Sequence, residues 1–309
     1  MIHIRLYLLM VFILMLSSCK NTPSANTSGD KLQVVATTSL IAEMVSEIGG
    51  DAIRVEGLMG AGVDPHLYKA SEGDVNKLFQ ADMIFYNGLH LEGKMQDVLE
   101  NMERQGIEIV AVSDTIGRDR LIASANFASN YDPHIWFDVS NWKLASGFIA
   151  NILSKRDPDN RATYASNAAR YLAHLDSTET LITNRIAELP ADRRILITAH
   201  DAFNYFGRAY GFEVLGLQGI STATEAGVQD VQNLAALIVE RRIKAIFVET
   251  SVPRRNIEAL QEAVRNRGFE VTIGGSLFSD ALGNPGTREG TYPGMVLYNV
   301  NTIVNALKD

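Results

Sequence analysis

From residue 32 onward, short runs of apolar, β-branched residues alternate with stretches whose apolar residues recur at helical spacing. This alternation predicts βα units that form parallel sheets. In the first half, a helix is predicted over 40–48, and Ser71 with Asp74 three residues later predicts a capping box. Strands are predicted over 32–37, 53–59, 81–86 and 107–112. The first half is therefore an α/β lobe, and a further helix in it carries Leu144, Phe148 and Ile152 on one face.

The second half repeats the alternation. A helix that starts near Pro253 and ends before Gly268 has a regular apolar face. The apolar residues of that helix are Ile257, Leu260 and Val264, and those of a final helix are Val296, Val300, Ile303 and Leu307. Strands are predicted over 195–199, 213–217, 245–249 and 270–273. These elements predict a second α/β lobe.

Segment 158–189 has no internal Pro or Gly and places its large apolar residues on a common stripe. Those residues are Tyr171, Leu175, Ile182, Ile186 and Leu189. At 1.5 Å per residue such a helix would be about 45 Å long. The sequence therefore predicts an α/β protein with lobes at 32–157 and 190–309 and one long rigid helix between them.

The first 18 residues have the pattern of a secretory signal peptide. A short basic start precedes an apolar segment, 6–16, which is shorter than the ~20 residues needed to span a bilayer. Leu16-Ser17-Ser18-Cys19 is a lipobox, so the thiol of Cys19 is the predicted site of lipid attachment. Residues 19–31 are polar and predict a flexible tether. We expect export and a lipid anchor that holds the protein on the periplasmic or extracellular face of the cell membrane.

Composition narrows the possible partners. The formal net charge is -8, and loss of Arg5 with the signal peptide makes it more negative still. This charge disfavours nucleic acid as a partner and favours a cation. Cys19 is the only cysteine, which excludes disulfides and thiolate zinc sites.

Three histidines and one aspartate lie in strand-to-helix connections. His66 and His134 each follow an Asp-Pro pair, His200 ends the apolar run 195–199, and Asp280 follows the last predicted strand. Ligands of open α/β sheets bind outside the carboxyl ends of strands, so two side chains from each lobe should converge on one crevice. A single loop histidine is usually a surface or hydrogen-bonding residue, but the combination predicts a mononuclear transition-metal site.

The other three histidines are assigned different roles. His90 lies in an amphipathic context and His174 on the long helix, where structural roles are expected. His3 leaves with the signal peptide.

At these residues the chain resembles the metal-receptor lipoproteins of bacterial zinc and manganese ABC importers, the TroA/ZnuA/PsaA-like family. The resemblance extends from about residue 32 to 307 and rests on five motifs taken together. The motifs are Asp64-Pro65-His66 with the nearby Asn87-Gly88-Leu89-His90-Leu91-Glu92, Asp132-Pro133-His134-Ile135-Trp136-Phe137-Asp138, Thr198-Ala199-His200-Asp201-Ala202-Phe203, Gly219-Ile220-Ser221-Thr222, and Leu277-Phe278-Ser279-Asp280.

The resemblance implies two Rossmann-like lobes bridged by a long helix. It also implies that His66, His134, His200 and Asp280 bind the metal, and that an ABC permease receives it. On this resemblance we expect a monomeric receptor and not an enzyme.

The resemblance leaves zinc and manganese both open. Family members with histidine at the position of His200 bind zinc or accept both metals, which favours zinc. Dedicated zinc receptors often carry a long histidine-rich loop, whereas 114–131 contains no histidine, which favours a manganese-type or dual receptor. The donor set and the Irving-Williams order favour zinc in vitro.

Several carboxylates are candidates to orient the ligating imidazoles, because they follow strands or lie beside ligands. They are Asp64, Asp132, Glu225 and Glu249. Since the imidazoles must be neutral to bind, metal affinity is expected to fall as pH drops through about 6.5.

Two rival functions are a secreted zinc hydrolase and a surface adhesin. Three histidines and a water can form a catalytic zinc site. However, four protein ligands fill a tetrahedral shell, and the sequence has no His-Glu-x-x-His or Gly-x-Ser-x-Gly motif. No repeat or aromatic cluster supports adhesion as the primary function.

Overall fold

The structure is a computed structural model that describes residues 31–125 and 127–308. The predicted signal peptide, the predicted lipid-attachment residue Cys19 and nearly all of the predicted tether lie outside these ranges. Residues from Leu32 onward form one unit by their contacts. No helix within the described ranges combines the length and the apolar character of a membrane-spanning segment.

Four parallel strands form the first sheet, in the order β2-β1-β3-β4. The strands are β1 (Leu32–Ala36), β2 (Ile53–Gly57), β3 (Met83–Tyr86) and β4 (Glu108–Ala111), and the helices are α1 (Ser39–Gly49), α2 (Glu72–Gln80), α3 (Gln96–Arg104) and α4 (Val139–Arg156). The strand order reverses between β1 and β3, so the loops at their carboxyl ends diverge and leave a crevice.

The second half contains two pairs of parallel strands, β5 with β6 and β7 with β8. The strands are β5 (Ile195–His200), β6 (Glu213–Gln218), β7 (Ala245–Glu249) and β8 (Thr272–Leu277), and the helices are α6 (Asn204–Tyr210), α7 (Val228–Arg241), α8 (Arg255–Arg265) and α9 (Tyr292–Lys308). Because β5 lies beside β7, the residues that end these two strands are neighbours.

Helix α5 (Arg161–Ile186) joins the two halves. It follows a short 3₁₀ turn, Pro158–Asn160, and its 26 residues span about 39 Å. It packs against α1 and α4 of the first lobe and against α9 of the second. The whole predicted apolar stripe of this region is buried. The fold is therefore α/β, with two Rossmann-like lobes of parallel strands joined by one long helix.

The capping box predicted before α2 is confirmed. The Ser71 hydroxyl accepts the backbone N–H of Asp74, and the Asp74 carboxylate accepts the N–H of Ser71. Asp138 caps α4 by accepting the N–H of Ser140 at 2.9 Å. These caps fix where the loops before α2 and α4 end, and both loops carry candidate ligands.

The helix α4 is present as predicted, but its predicted apolar face is only partly buried. Leu144 is 42 % exposed, and Phe148 and Ile152 are only partly buried. The buried residues of this helix include Trp142, Ala145, Ile149 and Leu153. Both stripes have helical spacing, so periodicity alone could not decide which of them faces the core.

The last strand also differs from the prediction, since β8 starts at Thr272 and continues through Gly274 and Gly275 to Leu277. The two glycines allow α9 to approach the sheet. A Cβ atom on Gly274 would lie 2.5 Å from the Cβ of Ala306. They therefore mark close packing of a helix on a strand and not the end of the strand.

Candidate metal centre

Three histidines and one aspartate meet at the carboxyl ends of the strands. His66 lies in the loop after β2, and His134 lies after β4 in the loop that leads to α4. His200 is the last residue of β5, and Asp280 follows β8. All four are buried, and one donor atom from each lies within 4.8 Å of the other three. The structure therefore brings the four predicted ligands together.

The spacing of the donor atoms fits a small cation. His66 Nε2 lies 3.3 Å from His134 Nε2. Asp280 Oδ1 lies 3.4 Å from His134 Nε2, and Asp280 Oδ2 lies 3.4 Å from His200 Nε2. Bond lengths of about 2.0–2.1 Å at tetrahedral angles place zinc ligands roughly 3.3–3.4 Å apart. These three separations match this value, with a different oxygen of Asp280 facing each of the two histidines.

Two of the buried donor atoms have no hydrogen-bond partner among the described residues, namely His200 Nε2 and Asp280 Oδ1. The other oxygen of Asp280 accepts the hydroxyl of Ser251 at 3.0 Å. A buried polar atom without a partner loses about 1–3 kcal/mol of solvation, and a cation between them would restore that loss.

Two of the imidazoles are hydrogen-bonded to carboxylates through Nδ1, the ring nitrogen that does not face Asp280. His134 Nδ1 donates to Asp132 Oδ1 at 2.7 Å, and His200 Nδ1 donates to Glu249 Oε2 at 2.5 Å. The same carboxylates accept the backbone N–H of the histidine that they orient, at 2.9 Å in both cases. Each ring is thus fixed with Nε2 directed at Asp280, the arrangement expected of metal-binding histidines.

The remaining two candidate carboxylates have different environments. Asp64 accepts the backbone N–H of His66 at 2.9 Å and the hydroxyl of Thr222 at 2.6 Å, so it fixes the loop and not the imidazole. Glu225 has a largely exposed side chain and pairs with Arg255 at 3.4 Å. The structure therefore does not bring Glu225 into the site.

Burial and neighbouring charges move the pKa values of the histidines in opposite directions. Burial lowers the pKa of His66 to about 3, despite the attraction of Asp280. Burial also opposes charge on His134, but Asp132 and Asp280 outweigh it and raise the pKa of His134 to about 9. For His200 the burial effect is likewise outweighed by Glu249 and Asp280, so its pKa lies well above the usual value.

The aspartate of the site is held in its charged form. Burial would raise the pKa of Asp280, but His200 and His134 outweigh it and keep that pKa well below the usual value. The site therefore offers an ionised carboxylate, one neutral imidazole and two imidazoles that must lose a proton to bind a cation.

Sequence reasoning missed several side chains that support the site. Ser251 binds Asp280, Thr222 binds Asp64, and Asn204 Nδ2 donates to Asp132 Oδ2 at 3.0 Å. These residues lie in loops or at a helix start far along the chain from their partners, so no local pattern marks them.

The histidines assigned to other roles lie outside the site. His90 is exposed, and its ring lies edge-on to Phe127 with centroids 6.1 Å apart. His174 is exposed on α5. Neither belongs to the cluster of donor atoms.

Comparison with known proteins gives a consistent result. The family model for the zinc-uptake complex component A, periplasmic, matches residues 34–306. The chain is 46 % identical over 293 residues to the manganese-binding lipoprotein MntA of Bacillus subtilis, covering 95 % of each protein. It is 48 % identical over 274 residues to the zinc-binding protein TroA of Treponema pallidum, covering 89 % of this chain and 88 % of that protein.

Solved structures agree with this assignment. The periplasmic zinc-binding protein TroA from Treponema pallidum superposes with a TM-score of 0.88 at 48 % identity, covering 91 % of this chain and 100 % of that chain. The match extends over both lobes and the helix that joins them. The chain therefore belongs to the TroA/ZnuA/PsaA-like family of zinc- and manganese-binding receptors of ABC importers.

Proposed function

We propose that this protein captures one zinc or manganese ion in the crevice between its lobes and delivers it to the permease of an ABC importer. His66, His134, His200 and Asp280 are the proposed ligands. The observation that carries this proposal is the convergence of these four buried side chains, whose donor atoms lie within 4.8 Å of one another. The names of the relatives support the same two metals, since one is called manganese-binding and another zinc-binding.

The donor set is compatible with both metals. Three imidazoles and a carboxylate suit tetrahedral zinc. Each oxygen of Asp280 faces a different histidine, so the carboxylate can also provide a fifth donor, which suits manganese. Zinc should bind more tightly in vitro by the Irving-Williams order, while the metal transported in the cell depends on availability.

We infer a receptor without catalytic activity. Four protein ligands leave no open position for a water nucleophile, as a zinc hydrolase would need. No feature of the site requires the adhesin alternative.

The proposed location is outside the cytoplasm. Relatives named as lipoproteins support export and attachment of a lipid at Cys19, with residues 19–31 as the tether. A monomer with lobes at 32–157 and 190–309 and the helical linker 158–189 would then present its crevice to the permease.

The proposal is tested by titrating zinc and manganese into the metal-stripped chain without its signal peptide, singly and in competition. We expect one tight equivalent of metal. Asp280→Ala should weaken binding by about 100-fold or more, because it removes a charged ligand from a buried site. His90→Ala should bind as the wild type does. Equal effects of the two substitutions, or no stoichiometric binding of either metal, would contradict the proposal.

A further inference from the structure

Trp136 lies between two of the proposed ligands. It is buried, follows His134 by two residues, and its ring lies edge-on to the His134 imidazole with centroids 5.2 Å apart. Its Nε1 donates to the backbone carbonyl of Ser279 at 2.9 Å, and Ser279 precedes Asp280. One indole therefore connects a ligand of the first lobe to a ligand of the second.

Tyr292, the first residue of α9, holds Trp136 in turn. Its hydroxyl donates to the backbone carbonyl of Trp136 at 2.7 Å, and its ring stacks on Trp142 with centroids 5.2 Å apart. Its backbone N–H donates to Glu43 Oε1 of α1 at 3.2 Å. A residue of the second lobe is thus fixed between two elements of the first.

Helix α5 also forms a hydrogen bond with Glu43. Tyr171 of α5 donates its hydroxyl to Glu43 Oε2 at 2.8 Å. A chain of hydrogen bonds therefore runs from α5 through Glu43, Tyr292 and Trp136 to the backbone beside Asp280. Tyr171, Tyr292 and Trp136 are each at most 2 % exposed, so water does not compete for these bonds.

We propose that Trp136 and Tyr292 are positioning residues that hold His134 and Asp280 at their metal-binding separation. The inference rests on the proposed function and extends it. Neither side chain offers a ligand atom to the metal, and each acts by fixing the backbone that carries a ligand. Ligands held in place bind with a smaller entropic loss, so these residues should slow metal release.

The test uses Tyr292→Phe, which removes the hydroxyl and keeps the ring on Trp142, and Trp136→Phe, which removes the donor to Ser279. The matched control is Tyr164→Phe. Tyr164 is a fully buried tyrosine of α5 whose hydroxyl donates to Asp157 Oδ2 at 2.6 Å, outside the site. The measurements are zinc release to a chelator, the visible absorption bands of bound Co²⁺, and the melting temperature, all on the chain from residue 19 onward.

We expect zinc release about tenfold faster in Tyr292→Phe and in Trp136→Phe, with shifted Co²⁺ bands, while Tyr164→Phe changes only the melting temperature. If Tyr292→Phe does not fold, Trp136→Phe decides the question. Lower melting temperatures with wild-type release and wild-type Co²⁺ bands in both variants would overturn the inference and leave the proposed function intact. A wild-type protein that binds no metal would overturn the proposed function itself.

Discussion

At the residue scale, the chemistry of the site depends on which nitrogen of each imidazole faces the cation. Asp132 and Glu249 accept the Nδ1–H of His134 and His200, which leaves Nε2 as the donor toward the metal. A carboxylate in this position also makes the imidazole more basic and a stronger ligand. The metal affinity should therefore depend on groups that never contact the metal.

Glu249→Gln tests this dependence. We expect zinc affinity at about pH 9, where competition from protons is weaker, to fall about tenfold, because a neutral amide stabilises the metal-bound imidazole less and can select the wrong tautomer. The matched control is Glu225→Gln, a change of the same kind at an exposed glutamate outside the site. Isothermal titration of both variants is the measurement, and equal affinities for the two would show that Glu249 has no such role.

The four proposed ligands could be predicted from sequence because they end a strand or lie in connections from a strand to a helix, and parallel strands bring their carboxyl ends to one edge. Their supports were not predictable. Thr222 binds Asp64 across 158 positions of sequence, and Trp136 binds Ser279 across 143. Such pairs depend on how the two lobes pack, which no local periodicity encodes.

At the element scale, most strands and helices follow from local patterns, since periodicity and caps act over a few residues. Strand β8 shows where this fails. In the sequence its two glycines suggest that the strand ends there. In the structure they lie inside the strand and provide the space that α9 needs to pack against it.

Gly274→Ala should therefore destabilise the fold by about 1–3 kcal/mol, because its Cβ would overlap Ala306 and the ring of Phe247. Gly147→Ala is the control. Gly147 lies inside α4 with open space around it, so this change should stabilise the fold by about 0.5–1 kcal/mol. Urea unfolding of both variants measures the difference, and equal shifts of the same sign would contradict the packing argument.

At the scale of the whole molecule, one buried apolar cluster extends across both lobes. It includes Ala36 of β1, Leu175 of α5, Phe203 before α6 and Val300 of α9. A wide hinge movement would expose part of this cluster to water, which costs about 25 cal/mol of free energy per Å² of apolar surface. Closure around the metal should therefore be a small movement of loops.

Small-angle scattering with and without zinc tests the rigid arrangement. We expect the same radius of gyration in both states, because α5 packs against helices of both lobes. The His66→Ala/His200→Ala double variant, titrated with the same zinc, controls for effects of the ion on scattering. A clear compaction of the wild type alone would show that α5 or its ends act as a hinge.

The charge state of the whole site determines how metal binding responds to pH. In the absence of metal at pH 7 we expect His134 and His200 to carry protons. The pKa of His134 is raised to about 9, and that of His200 is raised well above its usual value. His66 carries none, because its pKa is lowered to about 3. Asp132, Glu249 and Asp280 stabilise these two protons. Metal affinity should therefore begin to fall at a higher pH than the value of about 6.5 expected from free histidine.

Zinc binding at pH 7 should consequently release about two protons per ion, because both raised imidazoles must become neutral to bind. Affinity should rise with pH toward about 9, where His134 deprotonates without help from the metal. Titration calorimetry in buffers of different ionisation enthalpy counts the protons, and Glu249→Gln should release fewer at pH 7, since His200 loses a stabilising carboxylate. An affinity that does not change between pH 6 and 9, with no proton released, would show that all three histidines are neutral before the metal arrives.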